Sequence, residues 1–113
     1  MKQNRALVVF AALSGAVAVA AGAFAAHGAS GKAVEWLHTG AQYQLLHAVA
    51  ALAIINQPRG RFVAFLFLLG GAIFAGTLYA MALGAPHWLG AITPIGGSAF
   101  IIGWAMLALA ALG

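Results

Sequence analysis

The side chains best suited to chemistry lie close together inside an apolar segment. Gln42, Tyr43, Gln44 and His47 lie within six consecutive positions of a run that holds no formal charge from Trp36 to Pro58. In a helix, residues three and four apart share a face, so Tyr43 and Gln44 can join a hydrogen-bond network with His47. Two interpretations stay open. His47 is either a proton-handling or ligand-binding centre, or an uncharged histidine that joins two helices by hydrogen bonds, which is the commoner use of such residues.

Glu35 is the only acidic residue of the chain. At the start of a helix it complements the helix dipole, and Lys32 is near enough to pair with it. The alternative is a cation site at one membrane face that joins Glu35 to three dispersed histidines: His27, His38 and His87. No two of these histidines have the i, i+4 spacing of a helical metal site, and His38 and His47 point to opposite sides of one helix. We therefore expect no metal and no cofactor.

Catalysis has little support in the residue types. The chain has no cysteine and one carboxylate, so thiol chemistry and paired acids are excluded. Ser14 and Ser98 have no histidine nearby in sequence, and no glycine-rich phosphate loop carries a basic residue. The basic residues are scattered, which argues against nucleic-acid binding. The sequence predicts a protein that is not an enzyme.

These residues must be positioned by membrane-spanning helices. With 65% hydrophobic and 5% charged residues, the 113-residue chain is a single integral membrane domain. A span needs about 20 apolar residues. The segments that meet this need, with loops marked by Gly31, Pro58 and Pro86, are residues 6–26, 36–56, 62–83 and 90–112. Short loops between them predict an all-α, compact up-down bundle of four transmembrane helices.

The first segment also resembles a secretory signal. A basic start, an apolar run and the small residues Ala23 and Ala25 around Phe24 are typical of a cleaved leader. The run is longer than most signal cores, further spans follow, and its glycines have the spacing of helix contacts. These features favour a retained first span.

Basic residues predict the orientation. Lys2, Arg5, Arg59 and Arg61 flank one side of the predicted bundle, whereas Lys32 alone flanks the other. The positive-inside rule then places both termini in the cytoplasm of a multi-pass protein of the inner (plasma) membrane.

The polar residues and the glycines should face other helices. An arc of about 80° on the second span is apolar and is expected to face lipid; it comprises Leu37, Ala41, Leu45, Ala48, Leu52 and Ile55. In the third span Tyr79 adds a polar group to a strip of small residues. The ligand or pathway candidates are His47, Tyr43, Gln44, Gln42, Glu35, His27 and Tyr79. The predicted helix-packing residues are Gly15, Gly22, Gly76, Gly96, Gly97 and Gly103.

Four ordered motifs carry a resemblance to a known family. They are GAFAAHG at residues 22–28, AQYQLLHA at 41–48, GTLY at 76–79, and ITPIGG at 92–97 followed by Gly103 and Trp104. Together they resemble the YgdD/YwdK-like family of small inner-membrane proteins of unknown function, which has mitochondrial relatives. The resemblance covers nearly the whole chain and implies a four-span inner-membrane protein. It implies no catalytic role for any residue.

Two functions remain as hypotheses. The first is a membrane module without catalysis that binds a lipid, a small apolar ligand or a partner, the candidates being membrane lipid, a second copy of the chain or another membrane protein. The second is a small transporter or a proton or solute pathway along the polar residues of the second span.

Overall fold

The computed structural model describes residues 4–113 and is all-helical. Its α-helices are α1 (Arg5–His27), α2 (Lys32–Ile54), α3 (Gly60–Ala82) and α4 (Thr93–Leu112), and a 3₁₀ turn over His87–Ala91 precedes α4. The prediction made for Lys2 lies outside these residues. α2 begins four residues before the predicted span, so Glu35 falls within its first turn.

Two glycines in the left-handed region of φ make the turns at one end of the bundle. Gly31 has φ of 64° immediately before α2, and Gly84 has φ of 108° after α3. A residue with a Cβ is strained at such angles, so these positions favour glycine. At the other end α2 finishes at Ile54, before Pro58.

Consecutive helices run antiparallel, and close approaches at small residues fix their registers. A Cβ built on Gly22 would lie 3.9 Å from Ala41 Cβ, and one built on Gly15 would lie 3.9 Å from Leu45 Cδ1, which aligns α1 with α2. The corresponding neighbours are Gly40 with Ala75 and Gln44 with Gly71 between α2 and α3, and Gly70 with Gly96 and Phe67 with Gly103 between α3 and α4.

Packing follows the order of the chain. α1 packs on α2, α2 on α3 and α3 on α4, and α1 also touches α3. The bundle measures 46 × 26 × 17 Å, so it is flattened, with α1 and α4 at its margins. Its fully buried centre lies toward the α2–α3 loop and includes Phe67, Leu68, Val63 and Ala64.

Within residues 4–113, three segments are long and apolar enough to cross a membrane: α1, α3 and the stretch His87–Leu112. α2 is 23 residues long, as are α1 and α3, and it packs against both of them. Its polar residues make it less apolar than the other three.

The predicted lipid-facing arc of α2 is wrong in most of its positions. Leu37, Ala41, Ala48 and Ile55 are buried, whereas Leu45 and Leu52 are exposed. The physical reason is that acyl chains are as apolar as these side chains, so apolarity alone does not identify the lipid side of a helix. Small residues such as Ala41 and Ala48 instead allow a neighbouring helix to approach.

Most of the glycines predicted to pack against another helix do so, but one does not. Gly96 and Gly103 are buried at the α3–α4 contact, and Gly15 and Gly22 face α2. Gly97 lies beside the Phe74 ring, at 3.8 Å from a Cβ built on it. Gly76 is exposed, and no described residue lies within 4 Å of such a Cβ, so it packs against no other helix among residues 4–113. On α3 that role belongs to Gly70 and Gly71, which the sequence pattern did not single out.

Candidate functional site

His47 uses both ring nitrogens in hydrogen bonds between helices or within α2. Its Nδ1 lies 2.8 Å from the backbone carbonyl oxygen of Tyr43, and its Nε2 lies 3.0 Å from Trp104 Nε1 of α4. The carbonyl can only accept and the indole N–H can only donate. Nδ1 therefore carries the proton and Nε2 accepts, which requires an uncharged ring. This geometry favours the structural interpretation of His47.

Aromatic rings surround the imidazole. The Phe100 ring is stacked on it, with centroids 3.6 Å apart and planes 10° from parallel. The Phe67 ring meets the imidazole edge-on, with centroids 5.1 Å apart, and the centroids of the Trp104 and Phe67 rings are 4.7 Å apart. Only 4% of the His47 surface is exposed. Three helices thus hold the ring in place.

A second polar contact joins α2 to α3. The Tyr79 hydroxyl donates to Gln44 Oε1 at 2.7 Å, and Gln44 is buried. Gly40 makes room for this arrangement, since a Cβ at that position would lie 2.7 Å from the Tyr79 ring. This hydrogen bond satisfies the side-chain carbonyl oxygen of Gln44, which would be costly to bury without a partner.

A third contact joins α3 to the start of α4. The hydroxyl oxygens of Thr77 and Thr93 are 2.6 Å apart, and Thr77 also donates toward the carbonyl oxygens of Ile73 or Phe74. Each neighbouring pair among α2, α3 and α4 therefore has at least one polar link.

A groove runs along the surface between α2 and α4, over Phe74 of α3. Its volume is about 540 Å³, and its lining residues are Tyr43, Leu46, His47, Phe74, Pro94, Gly97, Ser98, Phe100, Ile101 and Trp104. The Tyr43 ring packs against Phe74 with centroids 5.0 Å apart and planes tilted by 44°, and Tyr43 is 44% exposed. The hydrogen bonds of residues 4–113 include none from the Tyr43 hydroxyl. Ser98 bonds to the carbonyl oxygen of Pro94 within α4.

The predicted site residues fall into separate groups. His47 and Tyr43 meet at the groove, and Gln44 pairs with Tyr79. His27, Glu35 and Gln42 are exposed, and His87 contacts the Trp36 ring at 5.1 Å. Across the part of the chain that the structure describes, no group of three or more histidine and acidic side chains is placed to hold a metal ion.

Sequence reasoning missed the role of Trp104 and Phe100 in this site. In the sequence Trp104 stands out only as part of a motif, and Phe100 belongs to none of the predicted site residues. One signal was available: a tryptophan well inside a span needs an acceptor for its indole N–H. His47 is the acceptor that the chain supplies.

Comparisons with known proteins agree on the kind of protein. Residues 21–97 match the model of a family described as protein of unknown function (DUF423). The chain is 44% identical to a UPF0382 membrane protein of Haemophilus influenzae, over 86% of each chain. It is 36% identical to the UPF0382 inner membrane protein YgdD of Escherichia coli, covering 96% of this chain and 91% of the relative. It is 39% identical to the UPF0382 membrane protein YwdK of Bacillus subtilis, covering 93% and 94%. No solved structure matches significantly.

Proposed function

This chain belongs to the DUF423 family of small inner-membrane proteins of unknown function, and from that premise we propose a membrane module without catalysis. Its ligand is one acyl chain of a membrane lipid, held in the groove between α2 and α4. The observation that carries this proposal is the groove itself, an apolar and aromatic channel open along the side of the bundle.

The shape and chemistry of the groove suit an acyl chain. Its volume of about 540 Å³ lies within the roughly 300–1,000 Å³ typical of small-ligand sites. Four aromatic side chains and the aliphatic Leu46 and Ile101 line it, which suits a hydrocarbon chain. The small side of the groove formed by Gly97 and Ser98 leaves room for an acyl chain to lie against Phe74 and Phe100.

The second hypothesis was a transporter or a proton pathway, and the contacts of His47 favour ligand binding instead. A proton relay needs a nitrogen that can exchange its proton with a neighbour. Here Nδ1 is held by the Tyr43 carbonyl and Nε2 by the Trp104 indole, and neither partner can pass a proton onward at neutral pH. His47 forms part of the groove wall rather than a step on a pathway.

The proposed architecture has four spans with both termini in the cytoplasm. α2 lies alongside α1 and α3 over its whole length, which supports a fourth span despite its polar residues. The Asn4 and Asn56 side chains are hydrogen-bonded at 3.2 Å, so Arg5, Arg59 and Arg61 lie at one end of the bundle and Lys32 at the other. This charge distribution supports the orientation.

The test is photolabelling in bilayers with a phospholipid that carries a diazirine on one acyl chain. We expect labels to concentrate on groove residues, above those on exposed residues elsewhere such as Val17 and Ile102. Ser98→Phe would place a ring in the groove and reduce labelling of Tyr43 and Phe74. Ile102→Phe, one turn further along α4 and outside the groove lining, is the matched control and should leave the pattern unchanged.

Two outcomes would contradict the proposal. One is labelling of the groove at the level of the general lipid-exposed surface. The other is equal labelling in Ser98→Phe and wild type, with both proteins monodisperse after purification.

A further inference from the structure

Six outward-facing residues of α2 form a stripe with heptad spacing. Glu35, His38, Gln42, Leu45, Val49 and Leu52 follow one another at alternating steps of three and four residues, and all six are exposed. This spacing keeps one face of a helix turned toward a second helix that runs parallel to it. Val49 alternates with Leu45 and Leu52, and a β-branched residue between leucines at these positions is typical of parallel pairs of two helices.

Gln42 is the polar residue nearest the centre of this stripe. It adjoins Tyr43, the middle residue of α2, so it lies about 1.5 Å from the midpoint of the helix. Within residues 4–113 its side-chain amide takes part in no hydrogen bond. An unpaired amide in the hydrocarbon core is costly, because neither lipid chains nor water satisfy it there. The Gln42 amide would therefore be stabilised by a polar partner at this depth in the membrane.

We propose that a second copy of this chain covers the stripe in a symmetric, parallel dimer. Two copies inserted in the same orientation are related by an axis along the membrane normal, so their α2 helices run parallel and equivalent residues face each other. A glutamine amide has both donors and an acceptor, so two Gln42 side chains satisfy one another. Glu35 and His38 lie near the start of α2, and Gln42 is followed along the stripe only by Leu45, Val49 and Leu52. A single polar residue beside such an apolar seam also fixes the register of the two helices.

A cavity beside the stripe provides space for the second copy. It lies between α1 and α2, has a volume of about 380 Å³, and its lining includes Gly22, Ala18, His38 and Gln42. Small residues on one helix allow the side chains of another to approach closely. The stripe shares no residue with the groove between α2 and α4, so the dimer does not depend on lipid binding there, although it rests on the proposed membrane span of α2.

Cysteine cross-linking tests the geometry, because the chain has no cysteine of its own. Val49→Cys and Leu52→Cys, oxidised in native membranes, should each give a disulfide-linked dimer. Ile95→Cys is the control, since Ile95 is exposed on α4 and lies outside both the stripe and the groove lining. Cross-linking of the stripe variants no stronger than that of Ile95→Cys, or a bond to a different protein, would overturn the proposal.

A second measurement tests the role of Gln42. Association of donor- and acceptor-labelled protein in bilayers, followed by energy transfer, should weaken about fivefold in Gln42→Leu. Gln57→Leu, in the exposed loop after α2, should associate like wild type. Undiminished association of Gln42→Leu would overturn the proposed hydrogen bond, whereas a monomeric wild type would overturn the dimer.

Discussion

Trp104 Nε1 lies 3.0 Å from His47 Nε2, which joins the only indole of α4 to the imidazole of α2 beside the rings of Phe67 and Phe100. The indole cannot accept a hydrogen bond, so the pair forms only while Nε2 is unprotonated. Protonation of the ring would set two N–H groups against each other. One contact thus closes α4 onto α2 and fixes the charge of His47.

Trp104→Phe should destabilise the protein by about 1–3 kcal/mol, because it leaves the buried Nε2 of His47 without a donor. The measurement is the free energy of unfolding in mixed detergent micelles. Trp88→Phe is the matched control, since Trp88 is 65% exposed and should change stability little. Equal losses in the two variants would show that the indole hydrogen bond contributes nothing specific.

Tyr79→Phe should destabilise the α2–α3 contact by about 0.5–2 kcal/mol, because the buried Gln44 Oε1 loses its donor. Tyr43→Phe removes the same hydroxyl from a ring whose oxygen bonds to none of residues 4–113, and it should be close to neutral in the absence of lipid. The comparison uses unfolding of both variants in the same detergent. A larger effect of Tyr43→Phe would contradict the assigned hydrogen bonds.

Gly96→Ala should separate α3 from α4. The added Cβ would lie 2.5 Å from both the Gly70 carbonyl oxygen and the Phe74 backbone nitrogen, and backbone cannot move aside cheaply. We expect a loss of about 1–3 kcal/mol or more, as for other overpacked contacts. Gly97→Ala, whose Cβ would be 3.8 Å from Phe74, should be tolerated. Similar unfolding midpoints for the two variants would argue against the close helix crossing.

Single cysteines should report the proposed topology, again because none is present naturally. Ser30→Cys lies in the α1–α2 loop and should react with a membrane-impermeant maleimide added to intact cells. Gln57→Cys lies in the α2–α3 loop and should react only after the cells are opened. The reverse pattern would place the termini outside and contradict the orientation inferred from the basic residues.

The number of helices and their order could be predicted from the sequence, because uncharged apolar runs separated by Gly31, Pro58 and Pro86 leave few alternatives. The inward direction of Gln44 and His47 could also be predicted, since a polar group in a span needs a partner. The outward direction of Gln42 and Tyr43 could not. Helical periodicity alone places these four residues on one broad polar side of α2. Only the position of α3 against α2 decides which of them are buried.

The partners of the polar residues were less predictable than the residues themselves. The sequence places Tyr79 with Gly76 on a strip of small residues that contacts another helix, but it does not name the partner of the hydroxyl. The Tyr79 hydroxyl reaches Gln44 because Gly40 leaves space for the Tyr79 ring. Trp104 lies on α4, 57 residues after His47, and no residue near Trp104 in sequence indicates that His47 is its partner. Such long-range pairings depend on helix registers, which the close contacts of Gly70 and Gly96 set.

The central claim is that His47 is a fixed, uncharged contact between α2 and α4 rather than a proton-handling group. The most direct test is ¹⁵N NMR of ring-labelled His47 in lipid bilayers at pH 7. We predict a protonated Nδ1, an unprotonated Nε2 and a cross-peak between Nε2 and the Trp104 indole proton. A ring protonated on both nitrogens at that pH, with no coupling to Trp104, would contradict the account.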